Sequence, residues 1–241
     1  MNAGLAARWV FGATIFAIGL PMAMASGETV GQFEGILDIG PVKHAGTVQF
    51  DSATERYTIA AAGTNMWDRA DEFSFVWRRM RGDFSIAART KFLGGGTVAH
   101  RKIGVIVRQS LEPDSPYVHI ARHADGLTSL QVRRAKGEST EQIMAPIADA
   151  EILQLARKGN RYTMLVAWEG EPFASERTVE VDLGDEVYVG LFVCSHDPDE
   201  IETAEFGNVR ISVPAADDFV PYQDFIGSNL EIMDIETGVR T

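Results

Sequence analysis

The feature that most constrains this chain is a long succession of short segments in which apolar and polar residues alternate. Examples are TVQFD at 47–51, DFSIAARTKF at 83–92 and KIGVIVRQS at 102–110. A period of two places successive side chains on opposite faces of an extended strand, and the Gly, Asp, Asn and Pro between segments favour turns. Many such strands, with no helical pattern between them, predict an all-β fold: an antiparallel β-sandwich or jelly roll.

Two stretches of the sequence predict β-hairpins. In residues 115–134, SPYVHIARHADGLTSLQVRR, two alternating segments flank a turn at 123–126. In residues 153–168, LQLARKGNRYTMLVAW, the turn falls at 158–160. Both turns contain glycine, which adopts the positive φ angles that tight hairpins need.

The two ends of the chain differ from its middle. A basic start, the apolar run WVFGATIFAIGL and a small-residue cleavage site at 23–25 predict a signal peptide over residues 1–25, and hence a periplasmic or secreted protein. A membrane anchor is the alternative, although the run is short for a span. We expect the sandwich domain to occupy residues 26–213. Residues 214–241 are expected to form a linker and one further strand.

Composition argues against some classes of partner and of chemistry. The net charge of −12 argues against general nucleic-acid binding, which requires a basic surface. The single cysteine, Cys194, cannot form an internal disulfide. Because its neighbours in VYVGLFVCS are apolar, we predict a buried small side chain rather than a nucleophile.

Several motifs resemble one known domain family. They are G-T-N-M-W (63–67), K-I-G-V-I-V-R (102–108), D-G-L-T-S-L-Q-V-R-R (125–134) and A-E-F-G-N-V-R-I (204–211). They resemble the concanavalin A-like (laminin-G-like) β-sandwich domain of exported bacterial proteins, found before TolB-like propellers and after β-xylosidase domains. The resemblance covers about residues 33–213 and implies a concanavalin A-like fold. The tail segment NLEIMDIETG is similar to the opening strand of a TolB-like propeller, which implies a truncated propeller.

Strand parity gathers polar side chains on one face of the predicted sheet. Alternate residues of a strand share a face, and the core-facing ones are Val118, Ile120, Leu130 and Val132. The opposite, outer face then carries Arg108, Tyr117, His119, Gln131 and Arg133. Arg and Gln offer hydrogen bonds to sugar hydroxyls or a uronate, and an aromatic ring offers a stacking platform. We predict a ligand-binding face; a simply solvated face is the alternative.

Three tryptophans bear on this site. Trp67 follows a turn and is predicted to lie at the rim of the ligand face, as its sixth residue. Trp168 is a second candidate for a stacking platform. Trp77 lies among apolar residues and is predicted to pack in the core.

Two acidic clusters suggest other chemistry. The spacing of Glu180, Asp182 and Asp185 is similar to that of laminarinase-type glycosidases, in which paired carboxylates cleave the glycosidic bond. A solvated edge strand is the preferred interpretation, because Leu-Gly separates the third acid. The oxygen atoms of HDPDE at 196–200 suit a structural calcium ion, although such loops are ordinary turns. We predict no catalytic residue, no metal ligand and no cofactor, with structural calcium as the alternative.

These observations predict an exported, non-catalytic recognition module that binds carbohydrate or a cell-envelope polymer. One alternative is a glycan-acting enzyme of glycoside hydrolase type. The other is a protein-interaction domain of a TolB-like assembly, in which the C-terminal tail contacts a propeller domain or a protein partner by edge pairing.

Overall fold

The computed structural model describes residues 29–213, together with the backbone of two strands at 219–223 and 230–234. In this part of the chain there is no helix that is long and apolar enough to cross a membrane. The predicted signal peptide, residues 1–25, lies outside the described residues.

Two seven-stranded antiparallel sheets form a sandwich. Sheet 1 contains, in spatial order, β1 (Gly35–Ile39), β4 (Phe73–Arg81), β13 (Glu186–Cys194), β6 (Lys102–Arg108), β7 (Tyr117–His123), β8 (Thr128–Arg133) and β9 (Glu141–Met144). Sheet 2 contains β12 (Arg177–Glu180), β11 (Arg161–Ala167), β10 (Ile152–Lys158), β5 (Phe84–Phe92), β14 (Asp197–Ser212), β3 (Arg56–Gly63) and β2 (Thr47–Asp51). The prediction of an all-β antiparallel sandwich is confirmed.

Both predicted hairpins form. Strands β7 and β8 pair with Tyr117 opposite Arg133, and β10 pairs with β11 up to Lys158 opposite Arg161. The second turn therefore has only two residues, and Gly159 takes a φ of 57° there. This is the left-handed conformation that two-residue hairpin turns require and that glycine adopts without steric penalty.

The main core lies between the two sheets. The predicted core-facing residues Val118, Ile120, Leu130 and Val132 belong to it and are fully buried. Sheet 2 contributes facing side chains that include Ile59, Ile86, Leu153, Leu155, Met164 and Phe206. Full burial of each large apolar side chain stabilises the fold by about 1.5–3 kcal/mol, so this layer supplies most of the driving force.

The outer face of sheet 1 carries a second apolar cluster. Its buried members are Ile39, Met66, Phe73, Phe75, Ile106, Tyr117, Ala121, Phe192 and Cys194. Trp77 packs against this cluster, edge to face with Tyr188. Cys194 is buried as predicted, and burial raises the pKa of its thiol to about 11. An apolar outer face requires a cover, so this face is not simply solvated.

The tail contains two strands rather than one. Strand β15 (Phe219–Gln223) pairs antiparallel with β16 (Leu230–Asp234). The first of these strands lies in the segment that was predicted to be a linker. Its Pro221 does not prevent pairing, because each strand of a two-stranded sheet has a free edge on which proline is tolerated. The relation of the tail to a propeller stays a prediction.

Candidate functional site

Arg108 and Arg133 lie on the same outer face of sheet 1, as strand parity requires, but both are fully buried. Their shared partner is Asp71, in the connection between β3 and β4. Arg108 Nη1 lies 2.6 Å from Asp71 Oδ2, and Arg133 Nη2 lies 2.7 Å from Asp71 Oδ1. The expectation that these guanidinium groups are exposed to a ligand is therefore wrong. Strand alternation specifies the face of a side chain but not whether a loop covers it.

The remaining guanidinium hydrogens bind backbone carbonyl groups of the covering loops. Arg108 donates from Nε and Nη2, and Arg133 donates from all three of its nitrogens. The accepting carbonyls belong to Asp68, Ser110, Glu112, Pro113, Ser115 and Glu138. Charge-assisted hydrogen bonds of this kind are stronger than neutral ones. The two arginines thus hold the loops after β3, β6 and β8 against the sheet.

Tyr117 also makes its contacts within the protein, through both its hydroxyl group and its ring. Its hydroxyl donates to the carbonyl of Met66 at 2.8 Å and lies 2.7 Å from Thr140 Oγ1. The guanidinium carbon of Arg133 lies 4.8 Å from the centre of its ring. The predicted role of Tyr117 as a stacking platform therefore does not fit its full burial. We call the group Asp71, Arg108, Tyr117, Arg133 and Thr140 the closed region.

His119 and Gln131 lie next to the closed region and bind each other. His119 stacks on Tyr117, with ring centres 4.9 Å apart, and its Nε2 lies 2.8 Å from Gln131 Oε1. The Gln131 amide donates to Gln142 Oε1 at 2.9 Å, so the network assigns the His119 proton to Nε2. Burial lowers the pKa of His119 well below its usual value, with a further contribution from the charge of Lys102. The ring is therefore neutral at pH 7.

Beside the closed region, the same face of sheet 1 opens into a cavity of about 330 Å³. Its lining residues are Asn65, Trp67, His100, Lys102, His123, Leu127, Gln131, Gln142 and His196. We call this the open cavity. Of the six predicted ligand residues, Trp67 and Gln131 line it, whereas the other four are buried outside its lining.

The lining of the open cavity offers an aromatic rim and several neutral polar groups. Trp67 is 37% exposed and presents part of its ring to solvent. The amide groups belong to Asn65, Gln131 and Gln142. Lys102 is buried and donates from Nζ to Asn65 Oδ1 at 3.1 Å. Burial lowers the pKa of this lysine.

Three histidines line one end of the open cavity. His123, at the end of β7, is only 4% exposed, and burial together with the charge of Lys102 lowers the pKa of its ring to about 3. Burial and Lys102 also lower the pKa of His196. His100 lies near both, with ring centres 5.8 Å from His123 and 6.1 Å from His196. The two rings with lowered pKa values are neutral at pH 7 and can bind ligands through their nitrogen atoms.

Sequence reasoning missed most of this lining. Lys102 and His123 share the strand parity of Arg108 and His119, so the alternation already contained the signal for them. The other lining residues come from loops or from the edge strand, and no local pattern brings them together. The missed set is Asn65, His100, Lys102, His123, Leu127, Gln142 and His196.

The candidate catalytic acids lie elsewhere. Glu180 ends the edge strand β12 of sheet 2. Asp182 accepts a hydrogen bond from the Gly184 amide at 2.9 Å, and Asp185 lies 3.4 Å from the Arg81 guanidinium. None of the three acids lines the open cavity, and their contacts are those of a turn and a surface ion pair.

The other sequence candidates also have local roles. Asp197 accepts a hydrogen bond from the Asp199 amide, and Asp199 forms an ion pair with Lys43. Calcium binding by this loop stays a prediction. Trp168 donates from Nε1 to the carbonyl of Ala148 at 3.0 Å and does not line the open cavity.

No protein-family model matches this chain, and no curated protein matches it in sequence. Among solved structures, it is similar to a functionally unknown protein from Saccharomyces cerevisiae, with a TM-score of 0.57 and 13% identity over 75% of this chain and 97% of that one. It is also similar to the GH43 protein BlXynB (mutant K247S) from Bacillus licheniformis, with a TM-score of 0.51 and 12% identity over 75% of this chain and 39% of that one. These likenesses show the fold: the chain is a concanavalin A-like β-sandwich, as the motif resemblance implied.

Proposed function

We propose that the protein is an exported, non-catalytic module that binds carbohydrate or a cell-envelope polymer, and that the open cavity is its binding site. The observation that carries this proposal is the composition of the lining: an exposed tryptophan, three amides, a buried lysine and three histidines around one concave space. Concave sites with a few convergent polar groups are the usual form of small-ligand sites.

The polar groups suit sugar hydroxyls. An amide offers both donors and an acceptor, and a hydroxyl needs both, so Asn65, Gln131 and Gln142 match it without a net charge. Trp67 presents an apolar ring at the rim, where a sugar ring can stack. The volume of about 330 Å³ is near the lower end of the range for ligand sites, which fits a single sugar unit or the end of a chain.

The lining argues for binding rather than glycoside hydrolysis. Glycosidases of the common type use two carboxyl groups on opposite sides of the scissile bond. None of the nine lining residues carries a carboxyl group. The two buried arginines are bound to Asp71 and to backbone carbonyls. The carboxylate of a uronate would therefore pair with Lys102 rather than with Arg108 or Arg133.

The test is binding of the full chain to a panel of neutral and uronate polysaccharides, measured by affinity electrophoresis and calorimetry. We expect Trp67→Ala to weaken binding at least about 10-fold, because the variant loses the aromatic ring on which a sugar would stack. The matched control is Trp168→Ala, which removes an exposed tryptophan outside the cavity and should leave affinity unchanged.

Three results would contradict the proposal. The wild-type chain could bind none of a broad panel, Trp67→Ala could bind as tightly as wild type, or the chain could release oligosaccharide products. The last result would favour the alternative of a glycan-acting enzyme, and Glu180→Gln would then test whether the acids of β12 take part.

A further inference from the structure

One end of the open cavity is lined by three of the five histidines of the chain, and an aspartate lies next to them outside that lining. His100 lies in the connection between β5 and β6, His123 ends β7, and Asp125 lies in the turn between β7 and β8. The nearest nitrogen and oxygen atoms of these three side chains lie within 4.8 Å of one another. His196, in the short link between β13 and β14, faces His100 with ring centres 6.1 Å apart.

Backbone hydrogen bonds hold two of the contributing segments together. The amide of Asp125 donates to the carbonyl of Ala99 at 3.1 Å, and the amide of Ala124 donates to the carbonyl of Arg101 at 3.1 Å. These bonds fix His100 beside the hairpin turn. Asp125 Oδ2 then lies 3.4 Å from His100 Nδ1. The backbone therefore holds the segments that carry His100 and Asp125 next to each other.

His123 is the observation that points to a ligand. Its ring is 4% exposed, and neither Nδ1 nor Nε2 has a hydrogen-bond partner among the described residues. A buried polar atom without a partner costs about 1–3 kcal/mol, and native proteins satisfy nearly all of them. A bound ion would give one ring nitrogen its missing partner.

We propose that His100, His123 and Asp125 bind a divalent transition-metal ion of the Zn²⁺ class, with the fourth coordination position facing the open cavity and His196 beside it. This site goes beyond carbohydrate binding and does not depend on it. Imidazole with carboxylate is a donor set for Zn²⁺ and its neighbours, whereas Ca²⁺ prefers oxygen ligands alone.

The geometry needs only a small adjustment. Zinc–ligand distances of roughly 2.0–2.2 Å place tetrahedral ligand atoms about 3.4 Å apart. The His100 side chain is mostly exposed, so it can rotate to close the remaining gap around the fixed His123 ring. The charge of Lys102 disfavours a positive charge at His123, and the Asp125 carboxylate favours one.

The test uses tag-free full-length protein, freed of metal with a chelator and titrated with ZnCl₂ and, separately, with CaCl₂ by calorimetry. We expect one Zn²⁺ site per chain, no comparable Ca²⁺ site and, with Co²⁺, the visible absorption of tetrahedral coordination. His100→Ala removes an exposed side chain and should weaken Zn²⁺ binding at least about 10-fold. Asp125→Asn keeps the turn hydrogen bond to Leu127 and should also weaken binding.

His44→Ala is the matched control, because His44 lies outside the cluster. The Zn²⁺ affinity of this variant should equal that of the wild-type protein. Absence of a single Zn²⁺ site, an unchanged affinity in His100→Ala, or equal binding of Ca²⁺ would overturn the proposal. Glycan binding is measured in chelator, so failure of the metal site and failure of carbohydrate recognition give different results.

Discussion

The closed region and the open cavity share one face of sheet 1 and yet use polar residues in opposite ways. In the closed region, both oxygens of Asp71 and every side-chain nitrogen of Arg108 and Arg133 have protein partners. In the open cavity, both nitrogens of the buried His123 ring lack partners among the described residues. The charged side chains of the closed region thus satisfy one another, whereas the open cavity contains buried polar atoms that lack a hydrogen-bond partner among the described residues.

This difference distinguishes polar side chains that stabilise the fold from polar side chains that are available to bind a ligand. Buried charges that satisfy one another hold loops in place and leave nothing for a ligand. Buried polar atoms without partners, beside a concave space and an exposed tryptophan, are typical of a binding site. A list of polar residues on one face therefore does not locate a site until the partners of each atom are known.

The largest expected effect comes from removing the shared partner in the closed region. We expect Asp71→Ala to lower the free energy of unfolding by about 3–5 kcal/mol, because it leaves two buried guanidinium groups without a counter-charge. Urea denaturation at neutral pH, followed by intrinsic fluorescence, measures this change.

Asp185→Ala is the control for this prediction. Asp185 pairs with Arg81 on the surface, and both side chains are mostly exposed, so its loss should change stability by less than about 0.5 kcal/mol. Similar effects of the two substitutions would show that the ion pairs of Asp71 do not stabilise the fold more than a surface ion pair does.

The fold was predictable because alternation is a local property. Each strand contains its own pattern, and Val118, Ile120 and Val132 lie in the core where that pattern places them. A turn around Gly159 was equally predictable, because its signal lies in the three adjacent residues 158–160, although its length of two residues comes from the strand pairing.

The site was only partly predictable, because burial depends on distant segments. The parity of Arg108 and Arg133 was right, but Asp71 and the loops that cover these arginines lie far away in the sequence. The same limit applies to His100 and His123, which meet through strand pairing and not through a short motif. Trp67 and Gln131 line the open cavity, the first selected from its turn and the second from its parity, and their role in binding stays a prediction.

His119 lies on the boundary between the two regions, and it sharpens the comparison through pH. Its pKa is lowered in the folded protein, mainly by burial and also by Lys102, His123 and Arg108. Well above pH 6.5 the ring is neutral in both states; as the pH falls through 6.5, the unfolded chain takes up a proton that the folded chain does not. Stability should therefore fall with decreasing pH, with a contribution from His119 of up to about 1.4 kcal/mol per pH unit.

His119→Gln should remove this contribution, so its free energy of unfolding should fall less steeply than that of wild type between pH 6.5 and 5. Urea titrations in chelating buffer at several pH values measure both slopes. Between pH 7 and 8 the two proteins should show the same slope, which serves as the internal control. Equal slopes below pH 6.5 would mean that His119 does not remain neutral in the folded state.

The smallest expected effect lies in the open cavity itself. Lys102 is buried like Asp71, but its hydrogen bond goes to the neutral amide of Asn65, and no carboxylate of the described residues forms an ion pair with it. Lys102→Met keeps the volume and removes a buried charge, so we expect stability to change by less than about 1.5 kcal/mol, with either sign. Lys91→Met, on the exposed face of sheet 2, controls for the loss of a positive charge. A loss of 3 kcal/mol or more, specific to Lys102→Met, would place this lysine with the closed region, because only a charge that stabilises its neighbours is so costly to remove.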